Sequence, residues 1–323
     1  MNRRTFIATS AVGLFAAPLA AAAQGKAYRI GFLGSASPSQ YARQIEGMRQ
    51  GLREHGYVEG RNIAIEYRWA EGQYERLPGL AAELVRLKVD LIVTHGTPGA
   101  QAAKGATATI PIVMAAVGNP VETGLVASIP RPGGNITGAS LFFPELNAKR
   151  LELLKEAVPR ITRVGALLNL DNPAHAAVLS AMEEAAKTLR LELRRVGVRR
   201  PEEIDGVIAQ LKGRVDGLSV IDDPMLIANA GRIAATAARH RLPAIGFREY
   251  VEAGGLMAYG VNFPQMWRRS MSLVDKILKG ARPGDLPIEQ ATQFELIISA
   301  KTAKALGLTI PPLILIRADQ VIE

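Results

Sequence analysis

Cysteine is absent from all 323 residues. Its absence excludes disulfides, thiolate metal sites, cysteine nucleophiles and a lipid-modified N-terminal cysteine. Aromatic residues are scarce, at 5%, so the cores must be built mainly from Ala, Leu, Ile and Val. Histidine is scarcer still: His55, His95, His175 and His240 are the four, and none stands in the spacing of a helical zinc site. The chain has no G-x-S-x-G, no G-x-G-x-x-G and no phosphate loop ending in G-K-[ST], which removes the commonest hydrolase, dinucleotide and nucleotide signatures. Gly34-Ser35-Ala36-Ser37 is too poor in glycine to cradle a pyrophosphate. No catalytic constellation, metal site or cofactor site is legible, and the expectation is a protein that is not an enzyme.

What is present is ordinary globular material. Hydrophobic residues make up 48% and charged residues 21%, enough apolar surface for two cores at this length. The net charge of +9 permits contact with nucleic acid or an anionic membrane without establishing either. The basic residues are scattered, as at Arg194-Arg195 and Arg199-Arg200, with no aromatics between them. That is the pattern of a solvated surface, so no nucleic-acid partner is expected.

The N-terminus reads differently. Arg3 and Arg4 precede an apolar run from Phe6 to Leu19, followed by Ala20-Ala21-Ala22-Ala23-Gln24. Basic region, short apolar region and small-residue cleavage site are the three parts of an export signal, here residues 1–23. The competing reading, an Ala-rich first helix of the fold, lacks a polar face. Asn2-Arg3-Arg4-Thr5-Phe6-Ile7 resembles a twin-arginine motif but has Ala8 where a basic residue usually follows, so the general secretory route stays equally open. The apolar run falls short of the about 20 residues that span a bilayer, and no later run is longer. The expectation is a soluble, exported, periplasmic protein.

Short β-rich runs then alternate with helical patterns, the signature of βαβ units and parallel sheets. Tyr28 to Gly34, Asn62 to Tyr67, Val89 to Thr94 and Ile110 to Val117 read as strands, with helices over 40–55, 74–87 and 99–104. The pattern restarts with a helix over 148–157 and strands at 163–169, 191–198, 217–221 and 244–247. Helices separate these at 174–189, 201–211 and 225–240. Arg29-Ile30-Gly31-Phe32-Leu33 can be laid beside Arg163-Val164-Gly165-Ala166-Leu167, and Leu91-Ile92-Val93-Thr94 beside Leu218-Ser219-Val220-Ile221. The expected class is α/β, with two doubly wound parallel-sheet lobes. The last third supplies elements to both, so the chain crosses between lobes three times, near 138–143, 258–262 and 284–290. The lobes are then 26–140 with 262–285, and 141–261 with 286–323.

In open parallel sheets ligands bind beyond the carboxyl ends of the strands. Those ends carry Ser35 and Ser37, then His95-Gly96-Thr97-Pro98, then Gly118-Asn119-Pro120 in the first half. In the second half they carry Asn169-Leu170-Asp171-Asn172-Pro173, Asp222-Asp223-Pro224 and Arg248-Glu249-Tyr250. Ser, Thr and Asn there can cap a helix, and exposed N–H groups there can receive an anion. Asp222-Asp223 is the sharpest charged feature. Asp223 can pair with a ligand ammonium or simply cap the helix after it, and adjacent residues in extended chain point apart, so the two make a poor metal pair. His95 either touches ligand or packs in its turn. Tyr259, in the second crossing, either faces the cleft or packs in the second core.

Several stretches together are familiar. They are Gly51-Leu52-Arg53-Glu54-His55-Gly56-Tyr57-Val58-Glu59-Gly60-Arg61-Asn62, Arg131-Pro132-Gly133-Gly134-Asn135-Ile136-Thr137-Gly138, His240-Arg241-Leu242-Pro243-Ala244-Ile245, Glu252-Ala253-Gly254-Gly255-Leu256-Met257-Ala258-Tyr259-Gly260, Asp275-Lys276-Ile277-Leu278-Lys279-Gly280-Ala281, and Lys301 to Pro311. In these the chain resembles periplasmic substrate-binding proteins of ABC transporters, in the family that includes tryptophan-type binding proteins. The resemblance implies a type I periplasmic-binding fold, a three-segment hinge, and a small ligand clamped between lobes and delivered to a membrane-embedded permease. It implies a small polar ligand, amino-acid-like or a small organic acid, and a freely diffusing monomer. The family's loops map to Ser35, Ser37, Gly96, Thr97 and Asp223, with Asn119 where an aspartate is usual; with Asn172 from the strand ends and Tyr259 these are the expected ligand-binding residues. A sensor receptor of the same fold and a periplasmic α/β enzyme are the alternatives.

Overall fold

The computed structural model describes residues 27–141 and 143–323; the expected export signal, residues 1–23, lies outside them. The first half runs β1 (Tyr28–Gly34), α1 (Ala42–Glu54), β2 (Ile63–Trp69), α2 (Leu77–Arg86), β3 (Leu91–Thr94), α3 (Gly96–Ala106), β4 (Ile112–Gly118) and β5 (Ile136–Leu141). The second half runs α4 (Phe143–Ala157), β6 (Arg163–Asn169), α5 (His175–Thr188), β7 (Glu192–Val198), α6 (Ile204–Ala209), β8 (Gly217–Val220), α7 (Pro224–Ala228), α8 (Ala230–Arg239), β9 (Ala244–Gly246), α9 (Arg248–Glu252) and β10 (Met257–Gly260). There follow α10 (Phe263–Leu278), β11 (Glu289–Gln290), β12 (Glu295–Ser299), α11 (Ala300–Ala305), α12 (Pro312–Arg317) and β13 (Gln320–Ile322).

Two sheets result. Their strand orders are β2-β1-β3-β4-β5-β11 and β7-β6-β8-β9-β10-β12-β13, the same winding twice. Every pairing is parallel except that of β12 with β10. β3 and β4 are buried throughout, as strands covered by helices on both faces must be. The likeness between the two halves is structural, since β1 and β6 hold equivalent places, as do β3 and β8. The halves even repeat a lock. Asp90, just before β3, accepts the backbone N–H of Arg29 at 2.7 Å; Asp216, just before β8, accepts that of Arg163 at 2.9 Å.

Two glycines one helical turn apart fix how α10 returns to the first sheet. A Cβ at Gly47 would sit 2.3 Å from the carbonyl oxygen of Pro264, and one at Gly51 2.3 Å from that of Arg268. Only glycine lets the two helix backbones approach this closely.

The chain crosses between sheets after β5, after β10 and after β11. The third crossing differs from expectation. Glu289–Gln290 pairs with β5 in the first sheet, so the chain changes sheets between Gln290 and Glu295 and not at 285–286. The helix expected over 225–240 is broken at Asn229 into α7 and α8, and Arg248-Glu249-Tyr250, read as a loop, opens α9. Segment 138–143, read as a crossing, is mostly β5. Among the described residues no helix is long and apolar enough to cross a membrane.

Candidate functional site

The carboxyl ends of both sheets meet at one cavity between the lobes, where open parallel sheets place their ligands. From the first lobe it takes Tyr41, the start of α3, the end of β4 and the start of α10. From the second it takes Phe143, Asn172 and the segment Asp222–Ile227.

Aromatic rings dominate the wall although the chain has few. Tyr41 and His95 lie 4.5 Å apart between ring centroids, and His95 and Trp267 4.8 Å apart. Phe143 and Phe263 add to the lining, with Leu141, Val117 and Ile227 between them. His95 is held from behind: the Ser35 N–H donates to its Nε2 at 3.2 Å, and Ser35 Oγ donates to its carbonyl at 3.4 Å. Burial pushes the imidazole down to about 3, because the charged form has no water and no anion to hold it. His95 is therefore a neutral part of the wall.

The polar features are few and placed at helix starts. α3 begins with Gly96 and Thr97 in the cavity wall, and no side chain caps it. The first N–H groups of a helix have no intrahelical partner, and Pro98 has none to offer. Thr97 Oγ1 is committed, donating to the Gly118 carbonyl at 3.1 Å. The two carboxylates point to different partners, as extended backbone requires. Asp222 faces the fully buried Arg150, whose Nη1 and Nη2 donate to its oxygens at 2.5 and 3.1 Å. Arg150 Nε also donates to the carbonyl of Tyr259 at 2.7 Å, tying the end of β10 to the cavity floor.

Asp223 is the N-cap of α7. Its Oδ1 accepts from Met225 N–H, Leu226 N–H, Tyr74 Oη and Asn169 Nδ2 at 2.9–3.3 Å. Among the described residues, its Oδ2 accepts only from Asn172 Nδ2, at 2.9 Å. A carboxylate oxygen has about two acceptor positions, so Oδ2 keeps capacity, and Asp223 lines the cavity. Asn172 is fixed in turn, its Oδ1 accepting Ala174 N–H at 3.1 Å.

Of the residues expected from sequence, Gly96, Thr97, Asn172 and Asp223 come together in this wall. Ser35 stands one layer behind it, supporting His95. Ser37 is bound to Gln40 Oε1 at 2.7 Å near the surface and does not line it. Asn119 is a turn residue: its φ of 44° is left-handed, a conformation asparagine tolerates, and its amide donates to Glu122 at 3.0 Å. Tyr259 stacks on Phe294 at 5.9 Å and lines a different groove, with Lys149 and Glu152. The residues that strand-end reasoning missed are the rings of Tyr41, Phe143 and Phe263 at helix starts, and of Trp267 one turn into α10.

The lobes are fastened across the cavity. Tyr41 Oη donates to the Pro224 carbonyl at 3.2 Å, Tyr74 Oη to Asp223 at 2.9 Å and Gln44 Nε2 to Glu249 at 3.0 Å. Arg43 pairs with Glu252. A Cβ at Gly96 would meet the Pro224 ring at 2.4 Å, so even one methyl group is excluded from this contact.

The family model for ABC transporter substrate binding proteins matches residues 36–322. A tyrosine-binding protein of Clostridioides difficile is 31% identical over 264 residues, covering 81% of this chain and 76% of that protein. Among solved structures, the ABC domain from Streptococcus pneumonia in complex with L-Trp is 27% identical, with a TM-score of 0.85 over 91% of this chain and 99% of that one. The ligand-free, open structure of a substrate binding protein with adhesive properties from Clostridium difficile is 28% identical with the same coverage, but its TM-score is 0.64. At nearly equal identity and coverage, this chain superposes better on the L-Trp complex than on the ligand-free, open structure. The fold is the type I periplasmic-binding fold, and the chain belongs to the family of ABC transporter substrate binding proteins.

Proposed function

We propose that this protein is an exported receptor, not an enzyme, that encloses a small amino acid with an apolar, aromatic side chain and hands it to the permease of an ABC transporter. The observation that carries the reading is the interlobe cavity, with a ring-lined wall between two polar ends. At one end the uncapped start of α3, at Gly96 and Thr97, suits a carboxylate, since helix N-termini favour anions. At the other, Asp223 Oδ2 suits an ammonium through a charge-assisted bond. Between them Tyr41, Phe143, Phe263 and Trp267 suit a flat side chain. The relatives named for tyrosine and solved with L-Trp support the same class. Membership of a transporter family supports delivery to a permease, and the basic-apolar-small layout of residues 1–23 supports export.

Because a ligand that touches both lobes favours the closed arrangement, binding and closure are one event in this reading. Calorimetric titration with L-tryptophan, L-tyrosine and L-phenylalanine tests it, on protein first unfolded and refolded to strip carried solute. Saturable binding of at least one of them, with weaker binding of aliphatic amino acids, is expected. Heat at dilution level for all three overturns the ligand class.

A further inference from the structure

Outside the cavity wall, one half-buried ionisable group lies where the two lobes meet. Glu249, on α9 of the second lobe, accepts Gln44 Nε2 from α1 of the first lobe on its Oε1. Its Oε2 is shut off from solvent and has no hydrogen-bond partner among the described residues. We propose that Glu249 is a proton-linked latch: the lobes close with this carboxyl protonated, so that ligand capture takes up a proton and tightens as the medium acidifies.

The surroundings argue for the neutral form. From α1, Arg43 reaches over the interface but pairs with Glu252 and not with Glu249. Gln44 brings no charge, and Tyr41 offers a neutral phenol whose own ionisation burial and Glu249 oppose. On α9, Arg248 is engaged by Glu252 and by Glu295 of β12. Beneath, Asp222 is negative and tied to Arg150. On α8, Arg232 and Arg239 are held by Asp205. Two acidic neighbours thus press on Glu249, and among the described residues no cation pairs with it, Arg43 acting on it only from its place on Glu252. Burial, the largest cause, with Glu252 and Asp222 outweighs the residue's own backbone N–H and the charge of Arg43, and raises its carboxyl from 4.5 to about 7.

Opening removes α1 from above α9 and lets water reach the carboxyl, returning it toward the ordinary value. The sign follows from linkage. The closed state binds more protons than the open one between about pH 4.5 and about pH 7, so closure gains as pH falls through that window. With those two limits, affinity at about pH 5.5 exceeds that at about pH 8 by roughly tenfold to thirtyfold.

The latch depends on the proposed ligand class only for its first readout. That readout is calorimetry with L-tryptophan and L-tyrosine at both pH values, in buffers of different ionisation enthalpy, on the wild type and on Glu249→Gln. The glutamine keeps shape and neutrality. The wild type is expected to bind at least tenfold tighter at the lower pH and to take up close to one proton there, falling to about half a proton near neutrality; Glu249→Gln is expected to show neither effect. Equal pH dependence in both proteins overturns the latch. If neither amino acid binds, the ligand class fails, and the second readout decides the latch alone. That readout is the radius of gyration of ligand-free protein by small-angle scattering. Compaction on acidification in the wild type and not in Glu249→Gln supports the latch; no difference between the two proteins overturns it.

Discussion

Replacing Asp223 by asparagine separates the two tasks placed on one side chain. The carboxylate caps α7 and accepts from both lobes through Oδ1, while Oδ2 holds Asn172, and the residue lines the cavity. With its oxygen at the Oδ1 position, the asparagine amide keeps the four acceptor contacts there. Its NH2 then meets Asn172 Nδ2, which cannot turn because Asn172 Oδ1 is already bound to Ala174 N–H. One buried donor left without an acceptor costs about 1–3 kcal/mol. Truncation to alanine adds loss of the cap, about 0.5–2 kcal/mol, and strands Tyr74 and Asn169 as well.

Melting temperature therefore falls in both variants and says little about ligand. The discriminating quantity is a ratio. L-tryptophan and indole-3-propionate share a ring system and a carboxylate, but only the first carries an ammonium. A charge pair that loses one buried partner costs about 2–5 kcal/mol, which is about thirtyfold or more in affinity. Wild-type protein should prefer L-tryptophan by about that factor, and Asp223→Asn should abolish the preference, because the stability cost divides out. Competition calorimetry measures both constants on one sample. An unchanged preference in Asp223→Asn would refute the ammonium assignment and leave Asp223 as a cap alone.

Gly96→Ala should weaken binding by about tenfold or more, since its methyl group strikes Pro224 only when the lobes close; alanine at φ of 70° is also strained by about 1–2 kcal/mol in either arrangement, which should lower the melting temperature of ligand-free protein without touching affinity. His95→Gln should blunt acid denaturation. The buried neutral imidazole binds fewer protons folded than unfolded between about 3 and 6.5, so its contribution is lost as pH falls from 6.5 toward 3, and melting temperatures across that range should converge in the variant. A variant with the same acid slope as the wild type would show that His95 is not neutral in the fold.

Much of the fold was legible because fully buried strands leave unbroken apolar runs, as at Leu91–Thr94. β5 escaped because Thr137, Gly138 and Ser140 are small and polar yet buried. Thr137 Oγ1 is bound to the Leu286 carbonyl at 2.8 Å, and a Cβ at Gly138 would meet the Met114 carbonyl oxygen at 2.2 Å. No periodicity betrays such a strand. β11 has two residues and is defined only by its partner. At the cavity, strand-end reasoning reached Gly96, Thr97, Asn172 and Asp223 because it locates backbone positions. It missed Tyr41, Phe263 and Trp267 because a ring on a helix face reads the same whether it meets a core or a ligand. The one available signal was scarcity: in a chain so poor in aromatics, rings gathered at the starts of α1, α4 and α10 stand out once the lobes are joined.

The enclosure of an aromatic amino acid against Trp267 is tested most directly by fluorescence. Trp69 and Trp267 are the two tryptophans, and Trp69 packs on Phe32 at 5.0 Å, outside the cavity wall. In Trp69→Phe the emission comes from Trp267 alone, and L-phenylalanine and L-tyrosine contribute none of their own when excitation is restricted to the red edge of tryptophan. Titration of either is expected to give a saturable change in the intensity or wavelength of that emission. An emission unchanged by both amino acids, in protein first stripped of carried solute and shown to be folded, would contradict the account.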